Sequence, residues 1–160
     1  MLVIYLLLGF YFVWAMIKGV PFYPSNKKAI DSILKFLPQD KSKKVIELGA
    51  GDGRIAFAIA RAGYQVTAIE YNSFLSLIMR CMKVIYRIKN VEIKNKNFFS
   101  EDLSQYDVYV GYLFPKSMER LDKIIFTQAN KGKIVISNTF TLKQHQPKAV
   151  DGKIYLYEVE

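Results

Sequence analysis

The hydrophobic pattern divides the chain into two unequal parts. Residues 1–17, MLVIYLLLGFYFVWAMI, contain no Lys, Arg, Asp, Glu or His, so every charged side chain lies beyond them. Downstream, apolar positions recur in short runs that switch between two periods. Ala29, Ile30, Ile33, Leu34 and Leu37 keep helical spacing, with Ser25 as N-cap and Pro38 as stop. Lys44–Leu48 (KVIEL) and Gln65–Glu70 (QVTAIE) read as strands. Between them a helix is expected from Arg54 to Ala62, stopped by Gly63. Phe74, Ile78, Cys81, Ile85 and Ile88 form an apolar stripe at helical spacing, which predicts that this face, Cys81 included, turns to the core. Val91–Ile93 opens a strand, and Asp107–Leu113 (DVYVGYL) is another. Met118, Leu121, Ile124 and Ile125 mark a helix ending near Gly132, and Lys133–Ser137 and Ile154–Val159 are the last strands. Strands alternating with helices predict a parallel sheet covered on both faces. No strong linker divides 21–160, which reads as one α/β domain.

Extended to Val20, the uncharged segment is about 30 Å long as a helix, enough to span a bilayer core. Tyr5, Tyr11 and Trp14 suit its interfaces. A signal peptide wants a basic start and a small-x-small cleavage site, and neither is evident. A core helix apolar all round belongs to a much larger protein. Residues 1–20 are therefore expected to form one transmembrane anchor, and 21–160 the working domain. Lys18, Lys27, Lys28 and Lys35 follow the segment and nothing basic precedes it. The positive-inside rule then makes this a single-pass membrane protein with a cytoplasmic domain. Pro21-Phe22-Tyr23-Pro24 is a stiff, extended connection.

Composition removes several chemistries. One Cys among 160 residues excludes an intramolecular disulfide and a cysteine zinc cage, and one His leaves no His-rich metal site. The net charge of +9 admits an anionic partner. Arg80, Lys83 and Arg87 lie opposite the apolar stripe, and Lys89, Lys94 and Lys96 extend the positive region. Nucleic acid is the disfavoured partner for such a surface, since Gly111-Tyr112-Leu113-Phe114-Pro115 stands where an Asn-Pro-Pro-Tyr type motif would follow the fourth strand; a solvated face is the plain reading, and an anionic inner leaflet suits an anchored domain.

The densest chemistry lies between the first two strands. Gly49-Ala50-Gly51-Asp52-Gly53 joins a strand to a helix N-terminus, where bare backbone can approach a ligand closely. This is G-x-G-x-G, with Arg54 in the place of the third glycine of a dinucleotide fingerprint, and no G-K-[ST] of a P-loop follows. Glu47 ends the strand under the loop and Asp52 lies inside it. Each carboxylate would repel a phosphate by about 4 kcal/mol at 4 Å and an effective dielectric near 20. The pair instead favours a cationic ligand, and S-adenosylmethionine fits, with its sulfonium, its ammonium and no phosphate. Glu70 ends the second strand, where a carboxylate can accept from both ribose hydroxyls.

With these residues in view, the chain resembles class I, seven-strand S-adenosylmethionine-dependent methyltransferases. More narrowly, it resembles the small archaeal-type protein-lysine methyltransferases and their membrane-anchored eukaryotic relatives. The resemblance covers roughly 22–150. It rests on Phe22-Tyr23-Pro24-Ser25, on Glu47 to Arg54, on Glu70-Tyr71-Asn72 and on Asn97-Phe98-Phe99-Ser100-Glu101-Asp102-Leu103-Ser104. It implies a Rossmann-like seven-strand sheet with helices on both faces, here preceded by one transmembrane helix. It also implies that Ser25, Glu47, Gly49, Gly51, Asp52, Gly53, Glu70, Tyr71, Asn72, Asn97 and Phe98 bind S-adenosyl-L-methionine. The acceptor would be the ε-amino group of a protein lysine, often on a membrane-associated protein. Phe22, Asn138-Thr139-Phe140 and His145-Gln146-Pro147 depart from the family pattern on the acceptor side.

Methyl transfer from a sulfonium needs proximity and orientation more than a base. Neutral lysine costs about 4.6 kcal/mol at pH 7, and a dry channel lowers that cost. Tyr112 and Phe114, directly after the fourth strand, are the expected walls of the channel. Glu101, Asp102 and His145 read as loop residues rather than bases. No metal is expected. Two alternatives stand beside lysine methylation: methylation of a lipid headgroup or small amine, and a non-catalytic membrane-tethered binding module of the same fold.

Overall fold

The computed structural model describes residues 25–128 and 131–159. The expected anchor, residues 1–20, lies outside the described residues. Among the described residues, no helix is long and apolar enough to cross a membrane.

Among the described residues, seven strands form one sheet: β1 (Lys44–Leu48), β2 (Gln65–Glu70), β3 (Val91–Asn95), β4 (Val108–Gly111), β5 (Ile134–Asn138), β6 (Ala149–Asp151) and β7 (Ile154–Glu158). Their order is β3-β2-β1-β4-β5-β7-β6. The first five are parallel, which explains why β1, β2 and β4 read as nearly unbroken apolar runs: both of their faces are covered. The last two are not parallel, which corrects the all-parallel expectation. β6 and β7 are joined through Gly152-Lys153, a connection short enough only for an antiparallel pair, and β7 runs antiparallel to β5 as well. Three-residue β6 carries too little pattern to be seen in the sequence.

Four helices among the described residues flank the sheet: α1 (Lys27–Phe36), α2 (Arg54–Arg61), α3 (Ser73–Ile85) and α4 (Pro115–Gln128). Strand alternation sorts their partners. Val45, Val66, Ala68, Val108 and Val110 face one core with Ile33 of α1, Ile55 and Ile59 of α2, and Met79 of α3. Ile46, Leu48, Ile69 and Tyr109 face a second core with Met118, Leu121 and Ile125 of α4. Two 3-10 turns, Phe98–Ser100 and Leu103–Gln105, close that side, and Leu103 is buried beneath them. Asn26, not Ser25, caps α1, its Oδ1 accepting from the Ala29 N–H at 2.9 Å.

α3 is turned the other way from its sequence pattern. Ser76 and Met79 are its buried residues, while Phe74, Leu77, Val84 and Ile85 are exposed, as is Cys81. Of the expected inward stripe, Phe74, Cys81 and Ile85 face solvent, Ile78 is half-buried, and only Ile88, beyond the helix end, is buried. The reason is a socket beside the loop. Gly53 has φ +82°, and a Cβ placed on it would lie 2.5 Å from Cγ of Met79 and 3.1 Å from the Phe57 ring. Met79 packs against that bare backbone, and its insertion sets the rotation of the whole helix.

Gly53→Ala is expected to cost roughly 2–4 kcal/mol, from the left-handed backbone and from overlap with Met79. Urea denaturation should show that adding Met79→Ala relieves only the overlap part. A Gly53→Ala variant as stable as the parent chain would contradict the packing described.

Candidate active site

The carboxyl ends of β1 and β2 are locked together by backbone. The N–H groups of Gly49 and Ala50 both donate to the Ile69 carbonyl at 2.9 Å. Gly51 N–H donates to Oε2 of Glu70 at 2.8 Å, and Asn72 N–H donates to Oε1 at 2.7 Å. One carboxylate thus bridges the glycine loop and the entry to α3. Glu70 is 8% exposed. Each of its oxygens has a second lone pair, so the group can still accept from a ligand hydroxyl. Gly49, Gly51 and Gly53 all have positive φ, at 75°, 59° and 82°, a backbone that side-chain-bearing residues rarely adopt.

Glu47 lies under the same loop, its Oε2 accepting from Ala56 N–H in the first turn of α2 at 2.8 Å. Burial pushes its carboxyl up to about 8; the Ala56 hydrogen bond opposes the shift, and the charges of Asp52 and Glu70 add to it. In the sequence, Glu47 and Asp52 stood out as the pair that would favour a cation. The structure changes the partner. Asp52 is held by the Arg54 guanidinium, with Nε at 3.0 and 3.1 Å and Nη2 at 2.6 Å, and is largely neutralised. The two buried carboxylates at the loop are Glu47 and Glu70.

Arg54 also reaches back to the start of the described chain, its Nη1 donating to the Ser25 carbonyl at 3.2 Å. Ser25 Oγ accepts from Nδ2 of Asn138 at 3.0 Å. Asn138 ends β5 and is 7% exposed. These contacts bring residue 25 and the end of β5 to the loop, a closure across more than a hundred residues. Thr139 follows at φ +75°, unusual for a β-branched residue, and its Oγ1 donates to Oδ1 of Asn138 at 3.0 Å. The Phe140 ring then lies 6.0 Å from Tyr112 and 6.2 Å from Phe114, centroid to centroid. The expected acceptor walls are therefore a three-ring cluster, completed by a residue the sequence marked only as a departure.

The other expected binding residues fall into two groups. Asn72 and Asn97 are caps. Asn72 Oδ1 accepts from Phe74 and Leu75 N–H groups, and Asn97 Oδ1 from Phe99 N–H at 3.0 Å. Tyr71 and Phe98 are the rings: Tyr71 is 75% exposed at the mouth, and Phe98 is half-buried against the second core. Sequence reasoning missed Asn95. Its Nδ2 donates to the carbonyls of Glu70 at 2.8 Å and Tyr71 at 3.1 Å, fixing the bend after β2. Nothing in its local sequence distinguishes it from another strand-end Asn.

Glu101 is no loop carboxylate open to solvent. Its side chain is 5% exposed and is gripped by Lys94 at 2.7 Å, Lys96 at 2.6 Å and the Tyr106 hydroxyl at 2.9 Å. Burial raises its carboxyl, but these three partners outweigh it and hold the group down at about 2. Such a group accepts no proton near neutrality. Asp102 caps the second 3-10 turn through Ser104 N–H at 3.0 Å. His145 packs on α4: its ring stacks on Phe126, and Nε2 lies 3.1 Å from the buried Asp122 carboxylate.

Residues 47–149, most of the domain just described, match the ANTKMT methyltransferase domain. The chain belongs to that family. It is 27% identical over 140 residues to a lysine N-methyltransferase of Rattus norvegicus named for an ATP synthase subunit, with 84% of this chain and 62% of that protein covered. The chain thus spans less than two thirds of that relative's length. It is 26% identical over 151 residues to a protein-lysine N-methyltransferase of Saccharolobus islandicus, with 88% of this chain and 94% of that protein covered. Among solved structures, an RNA methyltransferase from Salinibacter ruber in complex with S-adenosyl-L-homocysteine superposes with a TM-score of 0.80 at 27% identity, over 86% of this chain and 94% of that one. The ANTKMT domain is thus an S-adenosylmethionine-dependent methyltransferase domain, and the Rossmann-like fold expected from sequence stands.

Within this domain the Glu47 carboxyl gives a pH signature. Its folded value near 8 lies above the ordinary carboxylate value, so between them the folded state holds more protons than the unfolded chain. Stability should fall as pH rises from about 4.5 to 8 and then level off. Glu47→Gln keeps a carbonyl for Ala56 and should flatten that slope. Urea denaturation across the range reads both, and an unchanged slope in the variant would rule out Glu47 as its source.

Proposed function

We propose that this chain transfers a methyl group from S-adenosylmethionine to the ε-amino group of a protein lysine, at a membrane to which residues 1–20 anchor it, with the domain on the cytoplasmic side. The observation that carries the cofactor half is the pair of buried carboxylates, Glu47 and Glu70, around a loop of bare backbone. Ionised carboxylates held only by N–H groups attract a cation and repel a phosphate, and because burial raises the proton affinity of Glu47 its share of that attraction grows as it ionises. The residues present therefore fit the cofactor. The Gly49–Gly53 backbone and Glu47 would take the amino-acid end, Glu70 the ribose hydroxyls, and Tyr71 and Phe98 the flat base. Ser25 closes the site from the N-terminal side, and Asn72, Asn95 and Asn97 hold these groups in position. When bound, S-adenosylmethionine supplies an electrophilic methyl group on a sulfonium.

The chain's own part in the transfer is to orient and to dry the acceptor. Tyr112, Phe114 and Phe140 make an aromatic wall at the ends of β4 and β5. An amine entering along it loses hydration, which favours its neutral form, and the rings accept its residual positive charge. The lysine proton leaves to water. Glu101 is already held as an anion by Lys94 and Lys96 and takes no part. The lysine half of the reading is supported by the lysine methyltransferases similar to this chain, in rat and in Saccharolobus islandicus. The anchor half is supported by the uncharged length of residues 1–17.

Two measurements test the reading. Calorimetry with S-adenosylmethionine should show binding that tightens as pH rises through about 8, as Glu47 ionises. Glu70→Ala and Gly51→Arg should each weaken it more than tenfold, about 1.4 kcal/mol. Incubating membranes with methyl-labelled cofactor should place label on protein lysine. Label in lipid or in RNA would replace the substrate, and no binding by folded protein would end the methyltransferase reading.

A further inference from the structure

α3 presents an unusual face to solvent. On a helical projection, Phe74, Leu77, Cys81, Val84 and Ile85 occupy one continuous arc, and all are exposed. Leu77 is 57%, Val84 76% and Ile85 71% exposed. Tyr71, just before the helix, and Tyr86, just after it, extend the arc at both ends. Scattered apolar residues need no explanation, but a contiguous arc along three turns of one helix does. It is not a miscounted core: Ser76 and Met79 fill the buried side, and Met79 is seated against Gly53.

The border of the arc is basic. Arg80 flanks the arc beside Val84 and reaches the Ile93 carbonyl of β3 at 3.1 Å, while Lys83 lies on the far side of the helix and reaches the Val91 carbonyl at 2.5 Å. Those contacts satisfy hydrogen bonds without neutralising either charge. Arg87 and Lys89 follow the helix, and Arg61 of α2 lies over the Tyr86 ring at 5.2 Å. No Asp or Glu occurs from Tyr71 to Val91. The first carboxylate after that stretch, Glu92 on the edge strand, lies 3.7 Å from Lys94. An apolar face rimmed by cations and without acids complements an anionic lipid surface: aliphatic groups enter the acyl boundary while Arg and Lys stay at the headgroups.

Ser25, where the described chain begins, is bound to Arg54 at the carboxyl edge of the sheet. α3 starts at that edge, directly after Glu70. The described chain thus begins at the end of the molecule where the arc begins.

We propose that the solvent-facing side of α3, Tyr71 through Tyr86, is a docking surface for an anionic bilayer. It lays the domain on the membrane with the mouth of the methyl-transfer site at the lipid boundary. This surface acts beside residues 1–20 as an anchor and does not require them. It extends the membrane part of the proposed function from tethering to orientation, and restricts acceptors to amines close to the bilayer surface.

The lone cysteine is the reporter. Cys81 lies within the arc and is exposed, so the full-length chain can be labelled there with an environment-sensitive fluorophore. The labelled chain is mixed with vesicles of phosphatidylcholine alone, or of phosphatidylcholine with phosphatidylserine, each with and without lipid-borne quenchers. Vesicle sedimentation reads membrane attachment by any route, and the fluorophore reads α3. The expected result is a blue shift and lipid quenching in the anionic vesicles, reduced by salt. Replacing Arg87 and Lys89 by Ser should lower the docked-to-undocked ratio roughly thirtyfold, about a factor of five for each charge. Leu77→Glu with Val84→Glu, both at exposed positions, should abolish the shift while leaving sedimentation and methyl transfer to a soluble amine unchanged. Sedimentation with an unshifted fluorophore overturns the docking surface and leaves the anchor standing. A shift that depends on protein concentration and ignores lipid assigns the face to a second copy of the chain and also overturns the proposal.

Discussion

The arrangement of this domain depends on one carboxylate placed between two strand ends. Glu70 accepts from Gly51 on one oxygen and from Asn72 on the other. The first bond holds the glycine loop above β1 at the end of β2. The second fixes the turn out of β2 and so the first residue of α3. Both donors are backbone groups, so the only side chain whose rotation would release them is that of Glu70 itself, which is buried. Two further bonds from Gly49 and Ala50 to the Ile69 carbonyl make the junction rigid. These bonds restrain a loop whose left-handed glycines would otherwise sample many conformations.

From this junction the electrostatics of the site follow. Four charged groups crowd the loop, and they do not act alike. Asp52 and Arg54 satisfy each other and tie the loop to Ser25 and, through it, to Asn138. Glu47 and Glu70 have no cation of their own among these contacts; they are held by N–H groups alone. A dipole stabilises a carboxylate less completely than a full positive charge does, and burial raises the proton affinity of Glu47 accordingly. Glu101 is the contrasting case. That carboxylate is also buried, yet two lysines keep it anionic, so it serves structure and is removed from proton chemistry.

The same junction decides what α3 shows to solvent. With its start fixed by Asn72 and its middle seated by Met79 against Gly53, the helix has no freedom to turn its apolar arc inward. The arc is left at the surface beside a basic rim. The glycine loop and the solvent-facing apolar arc are thus coupled through one packing contact between a glycine and a methionine.

Local pattern alone specified the parallel half of the fold. β1, β2 and α2 lie where their patterns place them, because continuous apolar runs, Gly63 and the glycine loop are local signals with local causes. The placement of Glu47, Glu70 and the loop glycines was legible for the same reason: each stands at the end of a strand or in the turn that follows it. What local pattern could not specify was who pairs with whom. Arg54 taking Asp52, Lys94 and Lys96 taking Glu101, and Asn138 reaching Ser25 are contacts made only after the chain has folded. Phe140 joined Tyr112 and Phe114 because β5 lies beside β4, which no spacing in the sequence records. The rotation of α3 was decided in the same way. Periodicity locates an apolar stripe but does not say which side the sheet lies on, and the socket at Gly53 is formed by a segment more than twenty residues away in the chain.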